Sequence, residues 1–130
     1  MVRRFLFVFI AVFGFQNIGF TQNFQVEKST LIYKEIDCIQ LEMVVYQPQR
    51  KFTLPLPAIV FYFGGGWVSG DPGHFAMQAE YLASRGMVAV CPDYRTKSKH
   101  GTTPFESVKD AISAMRYLKI HGKEMGIDTA

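Results

Sequence analysis

Residues 58–67, AIVFYFGGGW, decide the fold, because an unbroken apolar run leads directly into three consecutive glycines. A continuous apolar run bounded by turn residues is typical of a strand buried on both faces, as in a parallel sheet. Glycine lacks a Cβ atom, so its backbone can take a positive φ and approach a ligand closely. The stretch therefore predicts a buried strand over 58–63 and a ligand site in the loop that follows it.

The residues after the glycines indicate which kind of ligand this loop can bind. Backbone N–H groups in such a loop can hold a phosphate or a developing negative charge. A phosphate loop of the Walker type needs Lys followed by Ser or Thr, but Trp67 follows the third glycine. A dinucleotide fingerprint needs a glycine at 69, where the chain has Ser69. A plain tight turn is the other alternative, which three consecutive glycines followed by tryptophan disfavour.

The flanking sequence predicts an α/β domain. Two strands, 31–39 and 41–46, suggest an antiparallel hairpin at the edge of the sheet. The other predicted elements are a helix over 75–84, a buried strand over 87–91, a polar loop over 93–103 and a long helix over 104–125 capped by Thr102 or Thr103. Strands that alternate with helices indicate a mostly parallel sheet with flanking helices. Since the chain stops where the next strand should start, we expect an incomplete domain.

Three segments, in this order along the chain, resemble one known family. Residues 64–67 and their flanks resemble the HGGGW oxyanion loop of the esterase and lipase branch of α/β-hydrolases. Residues 91–95, CPDYR, are similar to the PDYR segment that follows the next strand, and residues 100–128 are similar to the helix and loop that lead into the nucleophile strand. The resemblance is strongest to acetyl-esterase and feruloyl-esterase-like carbohydrate esterases. It implies the N-terminal part of an α/β-hydrolase fold.

The resemblance also implies an activity, a carboxylic ester hydrolase that works by serine acyl transfer on acetyl or similar esters of carbohydrates or small molecules. Trp67 would form a wall of the substrate pocket, with ordinary packing as the alternative. No cofactor or metal is implied, and no cluster of His, Asp or Glu has metal-ligand spacing. The oxyanion hole would be formed by the backbone N–H groups of Gly64, Gly65 and Gly66.

The loop departs from the family pattern at one position. Phe63 stands where the family has a histidine that anchors the loop through hydrogen bonds. Phe63 can fill the same space without a polar group, so the glycine donors remain while their rigidity depends on other contacts. By resemblance, three residues brace the loop from below, namely Asp93, Tyr94 and Arg95.

The larger departure from the family pattern concerns the catalytic triad. In this family the nucleophile lies in Gly-x-Ser-x-Gly, and the acid and the histidine follow it in the chain. No serine of the chain has that setting: Ser29, Ser69, Ser84, Ser98, Ser107 and Ser113. His74, His100 and His121 all precede the expected nucleophile. We therefore expect the polypeptide itself to be inactive and marginally stable. A serine peptidase of the same fold and a catalytically dead module that binds glycans or partners are the open alternatives.

The N-terminal residues predict export. Residues 1–21 have the pattern of a signal peptide: Arg3 and Arg4, then the apolar run 5–15, then small residues before Gln22. An uncleaved anchor is the alternative, but the run is shorter than the roughly 20 residues that a spanning helix needs. We expect a secreted or periplasmic protein without stable membrane insertion after cleavage. Residues 22–30 then form a loose lead-in, and 31–130 form the hydrolase part.

The net charge gives no support for nucleic-acid binding, and the positions of the cysteines disfavour a disulfide. The chain has 14 basic and 11 acidic residues, so without the two leader arginines the balance is 12 − 11 = +1. A nearly neutral body gives no electrostatic argument for nucleic-acid binding. Cys38 and Cys91 both fall in predicted strands, which favours buried free thiols over a disulfide. Asp110 and Arg116 lie six apart on the predicted long helix and need not pair.

Overall fold

A computed structural model describes residues 23–130, so the predicted leader at 1–21 lies outside the described part. The strands are β1 (Val26–Ile36), β2 (Ile39–Pro48), β3 (Ala58–Val60) and β4 (Val88–Pro92). The helices are a short 3-10 helix (Pro72–Phe75), α1 (Ala76–Ser84), α2 (Lys97–His100) and α3 (Pro104–His121). Over these residues, no helix has both the length and the apolar character needed to cross a membrane.

The four strands form one mixed sheet in the order β1-β2-β4-β3. β1 pairs with β2 and β2 pairs with β4, both antiparallel, whereas β3 and β4 are parallel and are joined through α1. The predicted hairpin at the edge is therefore confirmed. Of the three strand pairings among the described residues, only that of β3 with β4 is parallel, because the strands of the hairpin form the other two. The alternation of strand and helix gives the predicted α/β class.

The helices cover the two faces of this sheet, and each face has its own core. On one face, Ala114 and Leu118 of α3 pack with Val88 and Val90 of β4. On the other face, the small side chains of α1 pack against the residues of β4 that alternate with these, Ala89 and Cys91. All five residues of β4 are buried, as predicted for this strand. Because β4 pairs with β3 in parallel, its carboxyl end and the residues 93–95 that follow lie at the same edge of the sheet as the loop that leaves β3.

Several predicted strand features are wrong. β1 begins at Val26, which pairs with Pro48, so most of the segment 22–30 is strand and not a loose lead-in. Cys38 lies in the tight turn between β1 and β2 and is exposed, while Cys91 is buried as predicted. β3 ends at Val60 and is only half-buried, since β4 covers just one of its edges. A short run of apolar residues cannot by itself distinguish an edge strand from a central one.

The long helix is shorter than predicted, and the polar loop before it is not wholly irregular. α3 ends at His121, four residues before Met125, and Gly122 caps it. The loop predicted over 93–103 contains the single turn of α2. Met115 of α3 is apolar and yet 42% exposed. The side of α3 that faces the sheet carries small and polar residues as well as apolar ones. The apolar residues of α3 therefore do not recur at a clear helical spacing.

The N-terminus of α3 has a capping box. The Thr103 N–H donates to the Glu106 carboxylate at 2.9 Å, and the Thr103 hydroxyl donates to the same oxygen. Such a box satisfies donors that the first helical turn would otherwise leave unpaired. Thr103→Ala should therefore lower the free energy of unfolding by about 1 kcal/mol. Urea unfolding followed by circular dichroism measures this, with Lys109→Ala on the exposed face as control. Equal stability of the two variants would mean that the cap contributes nothing.

Candidate active site

The glycine loop leaves the sheet directly at the end of β3. The Phe61 N–H donates to the Val90 carbonyl at 2.8 Å, which extends the parallel pairing by one residue. Gly65 then has a φ of +134°, Gly66 has +61° and Trp67 has +63°. A Cβ atom on Gly65 would overlap the carbonyl oxygen of Ser69, so only glycine fits there. The left-handed φ of Trp67 costs a non-glycine residue roughly 1–2 kcal/mol, which the loop contacts must offset.

The loop borders a cleft of about 300 Å³. Within residues 23–130, no group accepts a hydrogen bond from the backbone N–H of Gly64, Gly65 or Gly66. Trp67, 49% exposed, stands beside them at the mouth of the cleft. The cleft is lined by Tyr62, Phe63, Gly64, Gly65, Gly66, Trp67, Tyr94, Ser107, Val108 and Ala111. The predicted oxyanion and pocket residues are therefore neighbours on one concave surface that is mainly apolar.

Phe63 anchors the loop through its ring and its carbonyl. Its side chain is 3% exposed and stacks on Tyr94, with ring centroids 4.0 Å apart and planes 9° apart. The Tyr94 hydroxyl donates to the Phe63 carbonyl oxygen at 2.6 Å. A Cβ atom on Gly70 would overlap the Phe63 ring, so the far end of the loop is also packed against it. Phe63 is thus fixed by close packing of its ring and by a buried hydrogen bond to its carbonyl oxygen.

The outer part of the loop is held by the backbone of α2. The Lys97 N–H donates to the Trp67 carbonyl at 3.0 Å, and the Ser98 N–H donates to the Val68 carbonyl at 2.9 Å. The Val68 N–H in turn donates to the Gly65 carbonyl at 3.0 Å. N–H groups in the first turn of α2, which have no partner within that helix, therefore donate to carbonyls of the loop. The predicted polar loop contains a structural support that sequence reasoning did not identify.

A buried ion cluster lies beneath the loop and centres on Asp110, whose side chain is fully buried. Its carboxylate accepts from Arg95 Nε at 2.8 Å, from Arg95 Nη2 at 2.9 Å and from the Arg95 backbone N–H at 3.1 Å. Lys34 Nζ of β1 donates to it at 2.7 Å. Burial alone would raise the pKa of Asp110, but the hydrogen bonds from Arg95 and Lys34 outweigh burial and lower that pKa. The cluster joins β1, α3 and the segment after β4.

Asp93 and Tyr94 complete this framework. The Asp93 carboxylate accepts from the Tyr94 backbone N–H at 2.9 Å, and its carbonyl accepts from the Tyr33 hydroxyl at 2.7 Å. Burial, together with the nearby carboxylates, raises the pKa of Tyr33 and of Tyr94. Both hydroxyls therefore remain protonated donors at neutral pH. Ser107 of α3 adds a hydrogen bond to the Arg95 carbonyl at 2.6 Å.

The structure brings together most of the residues singled out from the sequence. Of the three residues expected to brace the loop, Tyr94 contacts it directly through Phe63, whereas Asp93 and Arg95 hydrogen-bond to Tyr94 and to Asp110. Arg95 pairs with Asp110 across the fold, while Arg116 is exposed. The sequence spacing of Asp110 and Arg116 could not reveal this pairing, because the partner of Asp110 comes from another segment.

The histidines lie apart from the cleft lining. His74 is exposed in the 3-10 helix, and His121 lies at the end of α3, 3.9 Å from the Glu124 carboxylate. His100 Nδ1 accepts a hydrogen bond from the Thr96 N–H at 3.1 Å. Across the described part of the chain, no group of three or more His, Cys, Asp or Glu side chains is arranged to hold a metal ion.

Comparison with known proteins identifies the family. The BD-FAE family model matches residues 43–130, which include the glycine loop and the segment 93–95. The chain belongs to the BD-FAE family. A solved thermophilic esterase from Thermogutta terrifontis is 43% identical, with a TM-score of 0.75, over 78% of this chain and 37% of that one. The predicted α/β-hydrolase fold and esterase resemblance are confirmed at the level of the family.

Two curated relatives of this BD-FAE chain carry esterase names. An esterase of Gibberella moniliformis is 40% identical over 86 residues, which is 65% of this chain and 26% of that protein. A probable isoprenylcysteine alpha-carbonyl methylesterase of Arabidopsis thaliana is 26% identical over 132 residues, covering 98% of this chain and 27% of that protein. The chain spans about a quarter of the length of these relatives.

Proposed function

We propose that this chain supplies the oxyanion-binding part of a serine-type carboxylic ester hydrolase. The observation that carries the proposal is the set of N–H groups of Gly64, Gly65 and Gly66, which border the cleft and have no acceptor among residues 23–130. Three unpaired donors on one concave surface suit an oxygen atom that gains negative charge. The esters would be acetyl or similar esters on carbohydrates or small molecules, and the predicted leader would direct the protein out of the cytoplasm.

The chemistry assigned to this cleft is acyl transfer. A serine oxygen adds to the ester carbonyl carbon while a base takes its proton, and the carbonyl oxygen becomes negative. The N–H groups of the glycine loop stabilise that oxygen until the C=O re-forms and the C–O bond to the alcohol breaks, while the base passes the serine proton to the departing alcohol oxygen. Water then adds to the acyl-enzyme in the same way and releases the carboxylic acid. Trp67 forms the wall against which the acyl or alcohol group packs.

Taken alone, the 130 residues should not turn over esters. They contain no Gly-x-Ser-x-Gly, and the serines present lack that setting. Loss of a nucleophile of this type costs on the order of 10⁶ in kcat, which leaves only the contribution of the oxyanion donors and binding. The purified chain is therefore expected to hydrolyse p-nitrophenyl acetate no faster than buffer. Hydrolysis above the buffer rate would contradict the proposed division of the active site.

A chimera tests the proposed function directly. Residues 43–130 of this chain would replace the matching segment of the Thermogutta terrifontis esterase, a relative that paraoxon phosphorylates. Paraoxon titration then counts intact nucleophiles, and p-nitrophenyl acetate hydrolysis reports turnover per nucleophile. We expect a folded chimera with clear esterase activity, because the transplanted loop would provide the oxyanion donors.

The same experiment also distinguishes the esterase from the alternative function, a binding module. A chimera that folds and reacts with paraoxon but does not turn over the ester would show that this loop has lost its catalytic role. That outcome would favour a binding module, for which Phe63 in the place of the usual histidine is the supporting observation.

A further inference from the structure

The peptide group between Phe63 and Gly64 is held from its carbonyl side. The Tyr94 hydroxyl donates to the Phe63 carbonyl oxygen at 2.6 Å, and both side chains are buried. Because a trans peptide is planar, its C=O and N–H point in opposite directions. A fixed Phe63 carbonyl therefore fixes the direction of the Gly64 N–H. Gly64 itself has open space where a Cβ would lie, so no other group packs against that side of its Cα.

The other peptide groups of the loop are restrained differently. The Gly65 carbonyl accepts from the Val68 backbone, and the Trp67 carbonyl accepts from the Lys97 backbone. These contacts do not depend on the identity of any side chain. Of these three held carbonyls, that of Phe63 alone is held by a side-chain donor.

Tyr94 is itself held rigidly enough to act as a fixed reference point. Its ring stacks on Phe63, its N–H donates to the Asp93 carboxylate, and the next residue, Arg95, is bound to Asp110. Its hydroxyl is a donor at neutral pH, since burial raises the pKa of Tyr94. Rigid support of this kind is what orients groups that act on a transition state.

We propose that Tyr94 is a positioning residue that aims the Gly64 N–H through the Phe63 carbonyl. The inference rests on the proposed function, in which that N–H is one of the oxyanion donors. With phenylalanine at 63, the polar anchor of the loop comes from residue 94. Arg95 and Asp110 extend that anchor through the fold as far as β1.

Backbone amide relaxation of the full 130-residue chain, labelled with ¹⁵N, tests this inference. Tyr94→Phe keeps the stacked ring and removes only the hydroxyl. We expect the order parameter of the Gly64 N–H to fall from the rigid range near about 0.85 to below about 0.6, while that of Gly66 stays unchanged. Tyr33→Phe is the matched control, because it removes a buried hydroxyl that donates to the adjacent Asp93 carbonyl at 2.7 Å.

A selective loss of order at Gly64 in Tyr94→Phe supports the positioning role. The role is overturned if Gly64 stays rigid in Tyr94→Phe, or if Tyr33→Phe loosens Gly64 equally. In the chimera, which carries Tyr94 but not Tyr33, Tyr94→Phe should lower kcat with KM unchanged. The amide measurement needs no turnover, so an inactive parent chimera would count against the proposed function and not against the positioning role.

Discussion

Gly65→Ala in the chimera should lower kcat by about 10²–10³, the loss that follows removal of one oxyanion donor. The φ of Gly65 is +134°, and a Cβ atom there would overlap the Ser69 carbonyl oxygen. The loop must therefore move to accept alanine, and its N–H groups move with it. The measurement is kcat per paraoxon-reactive nucleophile, so that misfolded protein does not count as lost catalysis.

Gly126→Ala is the matched control for this prediction. Gly126 also has a positive φ, +73°, but a Cβ atom there meets open space away from the cleft. It should therefore show the general cost of a left-handed alanine, roughly 1–2 kcal/mol of stability, without loss of kcat. If Gly65→Ala and Gly126→Ala reduced kcat alike, the glycine loop would have no specific part in turnover.

Asp110→Asn should lower the free energy of unfolding by about 3–5 kcal/mol, the usual cost of removing one partner from a buried ion pair. The neutral amide would leave Arg95 and Lys34 without their shared counter-charge, and Arg95 is buried. Urea unfolding of the 130-residue chain measures the loss. Glu124→Gln is the control, since its contact with His121 is exposed and such pairs contribute at most about 1 kcal/mol. A loss from Asp110→Asn no larger than that of the control would mean that the cluster does not stabilise the fold.

The contribution of Asp110 should also depend on pH with a defined sign. Its pKa is lowered in the folded chain, so its stabilisation is present above the unfolded value, about 3.9. It is lost as the pH falls through the folded pKa. The difference in stability between the wild type and Asp110→Asn should therefore be constant near neutral pH and shrink below about pH 4. A difference that grew on acidification would reverse the assignment.

The parts of the fold that follow from local signals were predictable. The run 58–63 followed by glycines correctly placed a strand and a positive-φ loop, because both properties belong to consecutive residues. The same holds for β4, whose five residues are apolar enough to require cover on both faces. The segments 64–67 and 91–95 were assigned to one site by resemblance, and the parallel pairing of β3 with β4 explains why they meet.

What failed depended on contacts between distant segments. Asp110 pairs with Arg95 and Lys34, from two other elements, and no spacing along α3 can show this. The half-exposure of β3 depends on its neighbours in the sheet, which its composition does not report. In each case the residues that decide the outcome lie far along the chain from the pattern on which the prediction was based.

Trp67 is the single tryptophan of the chain, and it stands at the mouth of the cleft with its indole half exposed. Intrinsic fluorescence excited selectively at tryptophan therefore originates from the glycine loop alone. An indole that loses contact with water emits at shorter wavelength, so a molecule that enters the cleft or covers Trp67 changes the colour of the emission. The loop thus carries its own optical label, and occupancy of the cleft can be followed in unmodified protein.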